Sequence, residues 1–532
     1  MSNSQEDAVG HDTATDEKYR TYASISFAVL LLGVGIPLWW YTTAVPRVPL
    51  PYSGIAALSH HETKIQTDII VAALSKERAE QLAQEIKSFF EDSEIYSLRV
   101  RFEVVSRNLM SSAFTTNELE TIAYSFNLKM GNLLLLEALN LNEEILVGSN
   151  RTVFFAPDTD VKKVTEIVSK WILRDKSLAL TKNALTHPTE YSLDKENRRR
   201  FPTSPAYDVL LTLVNPDPEK LKVNWSLPTI ADVYLQPFLN EISLVADFHI
   251  KSQWLYLVPL NVKPKEVYDS SILGRHFALS EDILPQLITP LEKKLASQVS
   301  LHPCINLVAY VVPCEEGPLH IYSRNGHRAQ TVNIEAFHSP RWGGVVIINP
   351  PVDACISTKP VEITPNDATV IGVFFAQLRL LLGIPDPTPI PGAAVVPLFG
   401  FKPREWELDT LLRVRAVEQL TSAKLTLQSL AQLLEEISNI VITETVGNRI
   451  KNALNFVEES SALLQSGNLR DGFLKSKEAF ATAEAAFTDP SLLALLYFPD
   501  DQKYAVYIPL FLPVMIPVLL SLKNIRQYYF PR

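Results

Sequence analysis

YAVYIPLFLPVMIPVLLSL, Tyr504 to Leu522, runs without a charged residue between Lys503 and Lys523. At the helical rise per residue this run reaches roughly 27 to 30 Å, the thickness of a bilayer's hydrocarbon core. The reading is a membrane-spanning helix over residues 504–522. A second uncharged run lies between Arg20 and Arg47 and contains SFAVLLLGVGIPLWWY, which places a first span over residues 21–44. It closes on Leu38-Trp39-Trp40-Tyr41, an aromatic interface signature and not a small-residue cleavage site, so it reads as an anchor and not a signal peptide. Lys523, Arg526 and Arg532 follow the last run, whereas a removable lipid-attachment tail ends apolar. Buried core helices would carry a polar stripe, which neither run shows.

Lys18 and Arg20 flank the first run on its outer side, and Lys523, Arg526 and Arg532 flank the second. The positive-inside rule then puts both tails, 1–20 and 523–532, in the cytosol and the body between the spans in a lumen. Arg47 and Lys503 sit on the opposite side from that rule, and the N-terminal tail is acidic. Two sequons, Asn150-Arg151-Thr152 and Asn224-Trp225-Ser226, fall in the luminal part and are the glycosylation candidates.

The chain of 532 residues carries a formal charge of -10, which gives no broad basic surface and speaks against nucleic acid as a partner. Cys304, Cys314 and Cys355 are its three cysteines. A luminal compartment permits a disulfide, but bridging Cys304 to Cys314 would join the ends of a strand-like run spanning roughly 33 Å. A hydrophobic core, not a cystine framework, is expected to hold the fold.

In chain order, residues 45–181 form a first α/β region. Strand-like 67–74 and 98–105 flank a helical 76–90, and strand-like 152–155 precedes a helical 158–173. Residues 182–203 are a charged linker ending in Arg198-Arg199-Arg200, read as solvated. A second α/β region covers 204–384, with strands at 207–214, 248–260, 305–312 and 345–348 and helices at 229–246, 281–298 and 368–382. The loop 385–403, with Pro385, Pro387, Pro389, Pro391, Pro397 and Pro403, excludes regular structure and marks a boundary. Over 404–488, Leu408, Leu412, Ala416, Leu420, Ala423, Leu427, Leu430, Leu434, Ile437 and Val441 form one apolar stripe, continued by two further helices. A juxtamembrane segment, 489–503, leads to the last span. The fold class is therefore a membrane protein whose two transmembrane helices flank a large luminal α/β (α+β) body, with a helical hairpin or bundle near the membrane.

The chemical inventory holds no CxxC, HExxH, GxSxG, GxxxxGK[ST] or GxGxxG pattern, so no local signature for zinc, an acyl nucleophile or a phosphate cradle is present. No catalytic residue, metal ligand or cofactor is assigned. His302 and Cys304 are two apart on a strand and point to opposite faces, whereas a catalytic pair must meet. His320 and His327 flank a turn and read as hydrogen-bonded surface or core residues before they read as ligands. The most pointed local element is Phe337-His-Ser-Pro-Arg-Trp-Gly-Gly344, where Pro340 and the glycine pair would present Arg341 and Trp342 at a strand entrance as partner-contact candidates. The bland alternative is a turn whose tryptophan caps the domain's own core. Pro509, Pro513 and Pro517 recur every four residues along one face of the last span and leave the carbonyls of Ala505, Pro509 and Pro513 without their helical donors. That face, with Trp39 and Trp40 of the first span, is the candidate surface for neighbouring membrane helices or lipid.

LVNPDP (213–218), YLQPFLN (234–240), FHSPRWGG (337–344), FFAQLRLLLGI (374–384), WELDTLL (406–412), SLAQLLEEISNIVI (429–442) and DPSLLALLYFPDDQKYAVYIPLFLP (489–513) together resemble the PIG-S family. Members are subunits of the glycosylphosphatidylinositol (GPI) transamidase of the endoplasmic reticulum. The stretches cover the chain from the second α/β region to the final helix. The resemblance implies a non-catalytic structural subunit of a complex that replaces a precursor's C-terminal signal with a GPI anchor. Its implied partners are PIG-K, PIG-T, PIG-U, a metallopeptidase-like membrane subunit and membrane lipid, GPI among the candidates. It also implies that Cys-His chemistry belongs to a separate caspase-like subunit. This chain lacks the QACxG-type nucleophile motif. Two rival readings stand beside it. An independent membrane-anchored luminal hydrolase predicts strongly shifted titratable groups in one deep pocket. A lipid carrier predicts a continuous apolar cavity.

Overall fold

The computed structural model of the chain describes residues 14–43, 46–60, 62–269, 274–326, 328, 334–351, 355–356, 359–384, 386–398, 400, 402–437, 440–493 and 500–530. The chain divides into two units, Ala57–Leu425 with Ala453–Ala481, and Met1–Ala56 with Thr426–Asn452 and Thr482–Arg532.

The larger unit is built on two α/β layers. In the first, β1 (Ile65–Ala73) pairs in parallel with β2 (Tyr96–Val104) and β3 (Leu133–Glu137). Beyond β3 lie β5 (Thr152–Phe155), β4 (Ile145–Val147) and a late strand, β16 (Ala393–Val395). Ile69 to Ala73 are apolar and buried in succession, as a parallel strand covered on both faces requires. The helix Lys76–Phe89 begins where the Ser75 side chain accepts from the Arg78 amide, and its buried Ala79, Leu82, Ala83 and Ile86 recur at three- and four-residue steps. A capping box of Thr115 and Glu118 starts the helix Thr116–Tyr124.

In the second layer, β6 (Ala206–Asn215), β8 (Asp247–Tyr256), β11 (Cys304–Val311), β13 (Glu335–Ser339) and β14 (Gly343–Ile348) run in the order β13-β14-β11-β6-β8. The strands are parallel except for the β13–β14 hairpin. The helix Asp367–Leu382, capped by Asn366, covers this sheet and ends at Gly383 in the left-handed conformation. A parallel pair, β7 (Leu221–Val223) with β15 (Val361–Ile363), and a small sheet of β9 (Lys265–Asp269), β10 (Gly274–Ser280) and β12 (Leu319–Tyr322) complete the strands.

One helix end ties both layers together. In Glu405–Glu436, Asp409 takes the Arg151 guanidinium at 2.6 Å and the Gly131 amide at 2.9 Å, while Trp406 Nε1 donates to the Gly148 carbonyl at 3.0 Å. Those are first-layer contacts. Toward the second layer, Glu407 pairs with Arg379, and Arg415 donates to the carbonyls of Phe201 (3.1 Å) and Leu382 (3.0 Å). The apolar stripe is buried from Leu412 to Leu434, whereas Leu408 and Val441 are half-buried and Ile437, beyond the helix end, is exposed; Glu407, Asp409, Arg413 and Arg415 are buried too. The helix start is thus enclosed on most sides: Glu407, Asp409 and Arg415 sit in ion pairs on faces that a surface helix would give to water, and Arg413 donates to the Gly131 carbonyl at 2.7 Å.

Two boundary expectations are corrected. The proline-rich loop is not free of regular structure: Ala393–Val395, in a stretch between Pro391 and Pro397 with no proline of its own, pairs in parallel with β4. The segment 182–203 is not simply a solvated linker. Lys182 lies in the helix Asp175–Thr186, and Arg200 is buried, ion-paired with Glu418 and bonded to Asn197 Oδ1 at 2.8 Å. A guanidinium with carboxylate and amide partners tolerates that burial.

In the smaller unit, the helix Lys18–Tyr41 is long and apolar enough to cross a membrane, with mean hydropathy 1.8. A π-helical stretch, Val29–Gly35, interrupts its α-helical geometry. The C-terminal helix Asp500–Tyr529 meets the same test only if its arms Ala505–Pro513 and Met515–Lys523, bent by 49°, count as one span. The bend lies one turn before Pro517, whose ring crowds the Pro513 carbonyl. Trp39 packs edge-on against Tyr507 and Phe511, with ring centroids 5.7 and 5.3 Å away.

Candidate functional site

The chemistry-bearing side chains separate into three groups. At the amino ends of β6, β8 and β11, buried Asp208 accepts from His249 Nδ1 at 3.2 Å, from Lys251 Nζ and from the Ser300 hydroxyl. Burial pushes the Asp208 carboxyl up, but these donors together hold it below the usual range. His302 stacks on His249 at 5.5 Å. Cys304 is half-buried, and its thiol lies 3.8 Å from Asn306 Oδ1. Burial, aided by the Asp208 carboxylate, pushes the thiol up to about 11. A thiol so placed is roughly one part in ten thousand thiolate at neutral pH. In open α/β sheets ligand chemistry gathers at the carboxyl ends of parallel strands, and this cluster lies at the opposite ends.

The second group is a buried ion network. His320 Nδ1 meets Glu335 at 2.9 Å, the Arg328 guanidinium reaches the same carboxylate at 2.9 Å, and the Ile321 amide donates to it at 3.1 Å. Burial opposes the charge of Glu335, yet His320 and Arg328 keep its carboxyl below the ordinary value. His320 is therefore committed to a structural bond, and His327 lies outside the described residues. Among the described residues no group of three or more His, Cys, Asp or Glu is arranged to hold a metal ion.

The third group is the turn Phe337–Gly344. Its two strands are the β13–β14 hairpin, with Ser339 opposite Gly343. Arg341 adopts φ 54, and its amide donates to the Arg199 carbonyl at 3.0 Å. A Cβ on Gly343 would stand 2.0 Å from the Asn306 carbonyl oxygen, and one on Gly344 would stand 1.9 Å from Gln377 Oε1. Only glycine lets β14 approach β11 this closely. The two candidates separate here. Trp342 is 8 % exposed and belongs to the core under the sheet, whereas Arg341 is at the surface. Asn306 fixes the turn by donating from its amide and from Nδ2 to the Trp342 carbonyl, at 3.0 and 3.1 Å.

The remaining candidates lie elsewhere. Asn150 donates from Nδ2 to Glu120 at 2.7 Å, and Thr152 of its sequon is buried with its hydroxyl on the same carboxylate. Asn224 and Ser226 are exposed. Pro509, Pro513 and Pro517 are exposed along the C-terminal helix, and Trp40 is exposed beside the half-buried Trp39. Sequence reasoning missed the Cys314–Cys355 disulfide, which spans 41 residues. It also missed the ion pairs of the long helix, whose signal is the run of charges within WELDTLLRVRAVE on a segment otherwise patterned as core.

The model of the family described as "Phosphatidylinositol-glycan biosynthesis class S protein" matches residues 26–532. The chain belongs to that family. Among curated class S relatives, the rat "GPI-anchor transamidase component PIGS" is 35% identical over 94% of this chain and 94% of its own length. The human component of the same name is 35% identical over 94% of each chain. The fission-yeast "GPI transamidase component PIG-S homolog" is 24% identical over 96% of this chain and 85% of its own length. Class S membership therefore extends over both α/β layers, including the first region, where the sequence motifs are sparse.

Proposed function

We propose that this chain is a non-catalytic, structural subunit of the GPI-anchor transamidase of the endoplasmic reticulum membrane. The observation that carries the proposal is its 35% identity to the rat transamidase component across 94% of both chains. In this reading the α/β layers face the lumen, both termini are cytosolic, and the C-terminal helix is the second span. The Cys314–Cys355 disulfide supports an oxidising compartment. The partners are the caspase-like PIG-K, PIG-T, PIG-U and the metallopeptidase-like subunit. Arg341 is the contact residue offered to a partner, with Trp342 holding its turn. The exposed face of Pro509, Pro513 and Pro517 meets other membrane helices or lipid, because its carbonyls need donors that acyl chains lack.

The non-catalytic role is supported by what the acidic and nucleophilic groups already do. Glu407, Asp409 and Glu418 are each closed into ion pairs with arginine, and burial together with the Asp208 carboxylate holds the Cys304 thiol protonated. A mild-detergent pull-down of the full chain, with subunit identification and a transamidation assay, tests the proposal. Recovery of the other subunits, with activity lost on depletion and retained in Cys304→Ala, is expected. Isolation as a single species with its own hydrolytic activity would overturn it.

A further inference from the structure

Beside the Phe337–Gly344 turn, a cleft of about 390 Å³ opens at the amino ends of β6 and β11. Phe201, Pro202, Pro303 and Trp342 make its apolar walls, and Arg341, Cys304, Asn306 and Glu292 its polar lining. Three observations bear independently on what it holds. The Arg341 guanidinium has no ion-pair partner among the described residues, and its backbone is held in the left-handed region, a conformation that costs an arginine energy and is kept by the bond to Arg199. Trp342 is more than nine-tenths buried, and its indole N–H has no acceptor. Such an unpaired buried donor is rare and needs an explanation. The Cys304 side chain, protonated at neutral pH and turned toward Asn306 Oδ1, adds no charge to the lining.

We propose that this cleft binds a carboxylate carried by a polypeptide, with Arg341 supplying the charge and the Trp342 indole N–H the buried hydrogen bond. A guanidinium and one neutral N–H match the two oxygens of a single carboxylate. The apolar walls suit a hydrophobic residue next to the carboxylate. The inference deepens the proposed partner contact at Arg341 by naming what it grips, and its test is independent of complex assembly.

The test uses the full chain in mild detergent and fluorescein-labelled peptides of one apolar sequence in three forms: a free C-terminal carboxylate, a C-terminal amide, and a C-terminal amide with one internal aspartate. Fluorescence anisotropy reads the affinity. One of the two acidic forms is expected to bind about tenfold or more tightly than the neutral amide, and which one does so identifies a chain end or a side chain as the source. Arg341→Gln is expected to abolish that preference, Arg341→Lys to restore part of it, and Trp342→Phe, which keeps the packing, to reduce it several-fold. Thermal unfolding of each variant separates lost binding from lost folding. Equal affinity for acidic and neutral peptides, an unchanged preference in folded Arg341→Gln, or displacement by inorganic phosphate at lower concentration than by acetate would overturn the proposal.

Discussion

Glu407 receives the Arg379 guanidinium at 2.8 Å and also pairs with Arg404, so one carboxylate in the first turn of the long helix neutralises two buried cations. Arg379 comes from the helix that covers the second sheet, and Arg404 also donates to the Val396 carbonyl, just beyond β16 of the first. Removing the carboxylate leaves the buried Arg404 without a counter-ion and Arg379 with only the exposed Asp386, 3.8 Å away. Glu407→Gln is therefore expected to cost about 3–5 kcal/mol, the range for breaking a buried ion pair on one side. Thermal unfolding of the full chain checks this, and a midpoint equal to that of the wild type would show that the two layers are held by their apolar cores alone.

The regular elements were legible wherever a core periodicity survives. Thr152–Phe155 and the start of Lys76–Phe89 fall at the positions read from the sequence, because continuous burial and a serine cap leave local marks. Short strands were not legible: β4, β7, β15 and β16 have three residues each, below the length at which alternation can be recognised. The turn Phe337–Gly344 was legible as a turn, since proline and paired glycines dictate backbone. Which side of it Trp342 would occupy depends on β11 and was not. Arg200, the third residue of an apparently solvated basic triplet, is buried by a partner 218 positions away, and no local pattern encodes such a pairing.

Two pH windows follow from the buried charges. Glu335 and Glu418 are buried, which opposes their ionisation, but their cationic neighbours win and hold both carboxyls below the ordinary value. In the unfolded chain they bind protons at higher pH than in the folded chain. The stability they confer is complete above the unfolded carboxylate pKa of about 4.3 and is lost as pH falls through the folded values. Lys424 behaves in the opposite direction: burial, with Lys182 nearby, lowers it to about 8. Between that value and the unfolded value of about 10.4 the unfolded chain binds the extra proton, so stability rises with pH. Lys424→Met is expected to stabilise the chain at pH 7 by about 1–2 kcal/mol, discounted for partial exposure, with the gain fading toward pH 10. Unfolding midpoints measured across pH for both chains provide the check.

Arg47, which the positive-inside reading of the sequence leaves unexplained, has a structural use. Its guanidinium donates to the carbonyls of Leu434 and Ile437 at the end of the long helix. The neighbouring backbone joins in, with Ile442 donating to Pro46 and Val48 to Ile442, each at 3.1 Å. Arg47→Ala is expected to cost about 1–2 kcal/mol locally. Hydrogen exchange should accelerate at the amides of Val48 and Ile442 and stay unchanged in β6. Gly447→Val should have the same effect by a different route, because a Cβ at that position already stands 3.1 Å from Val48 Cγ1.

The two sequons differ in what their side chains already hold. Asn150 gives its amide to Glu120, a carboxylate that also accepts from the Ser149 amide at 2.8 Å and the Thr152 hydroxyl at 3.0 Å. A glycan there would displace the asparagine from a buried acid that needs every donor it has. Asn224 follows β7 with its side chain exposed, and Ser226 is exposed as well. With the body in the lumen, Asn224 carries the glycan and Asn150 does not. Endoglycosidase treatment of the membrane-inserted chain should therefore remove one glycan, absent already in Asn224→Gln and retained in Asn150→Gln. Loss of the mobility shift in Asn150→Gln alone would mean that Glu120 does not hold the loop during maturation, and no shift in the wild type would place the body on the cytosolic side or leave both sequons unused. The Cys314–Cys355 bond separates those last two outcomes, since a chain alkylated at Cys314 without prior reduction has not met an oxidising lumen.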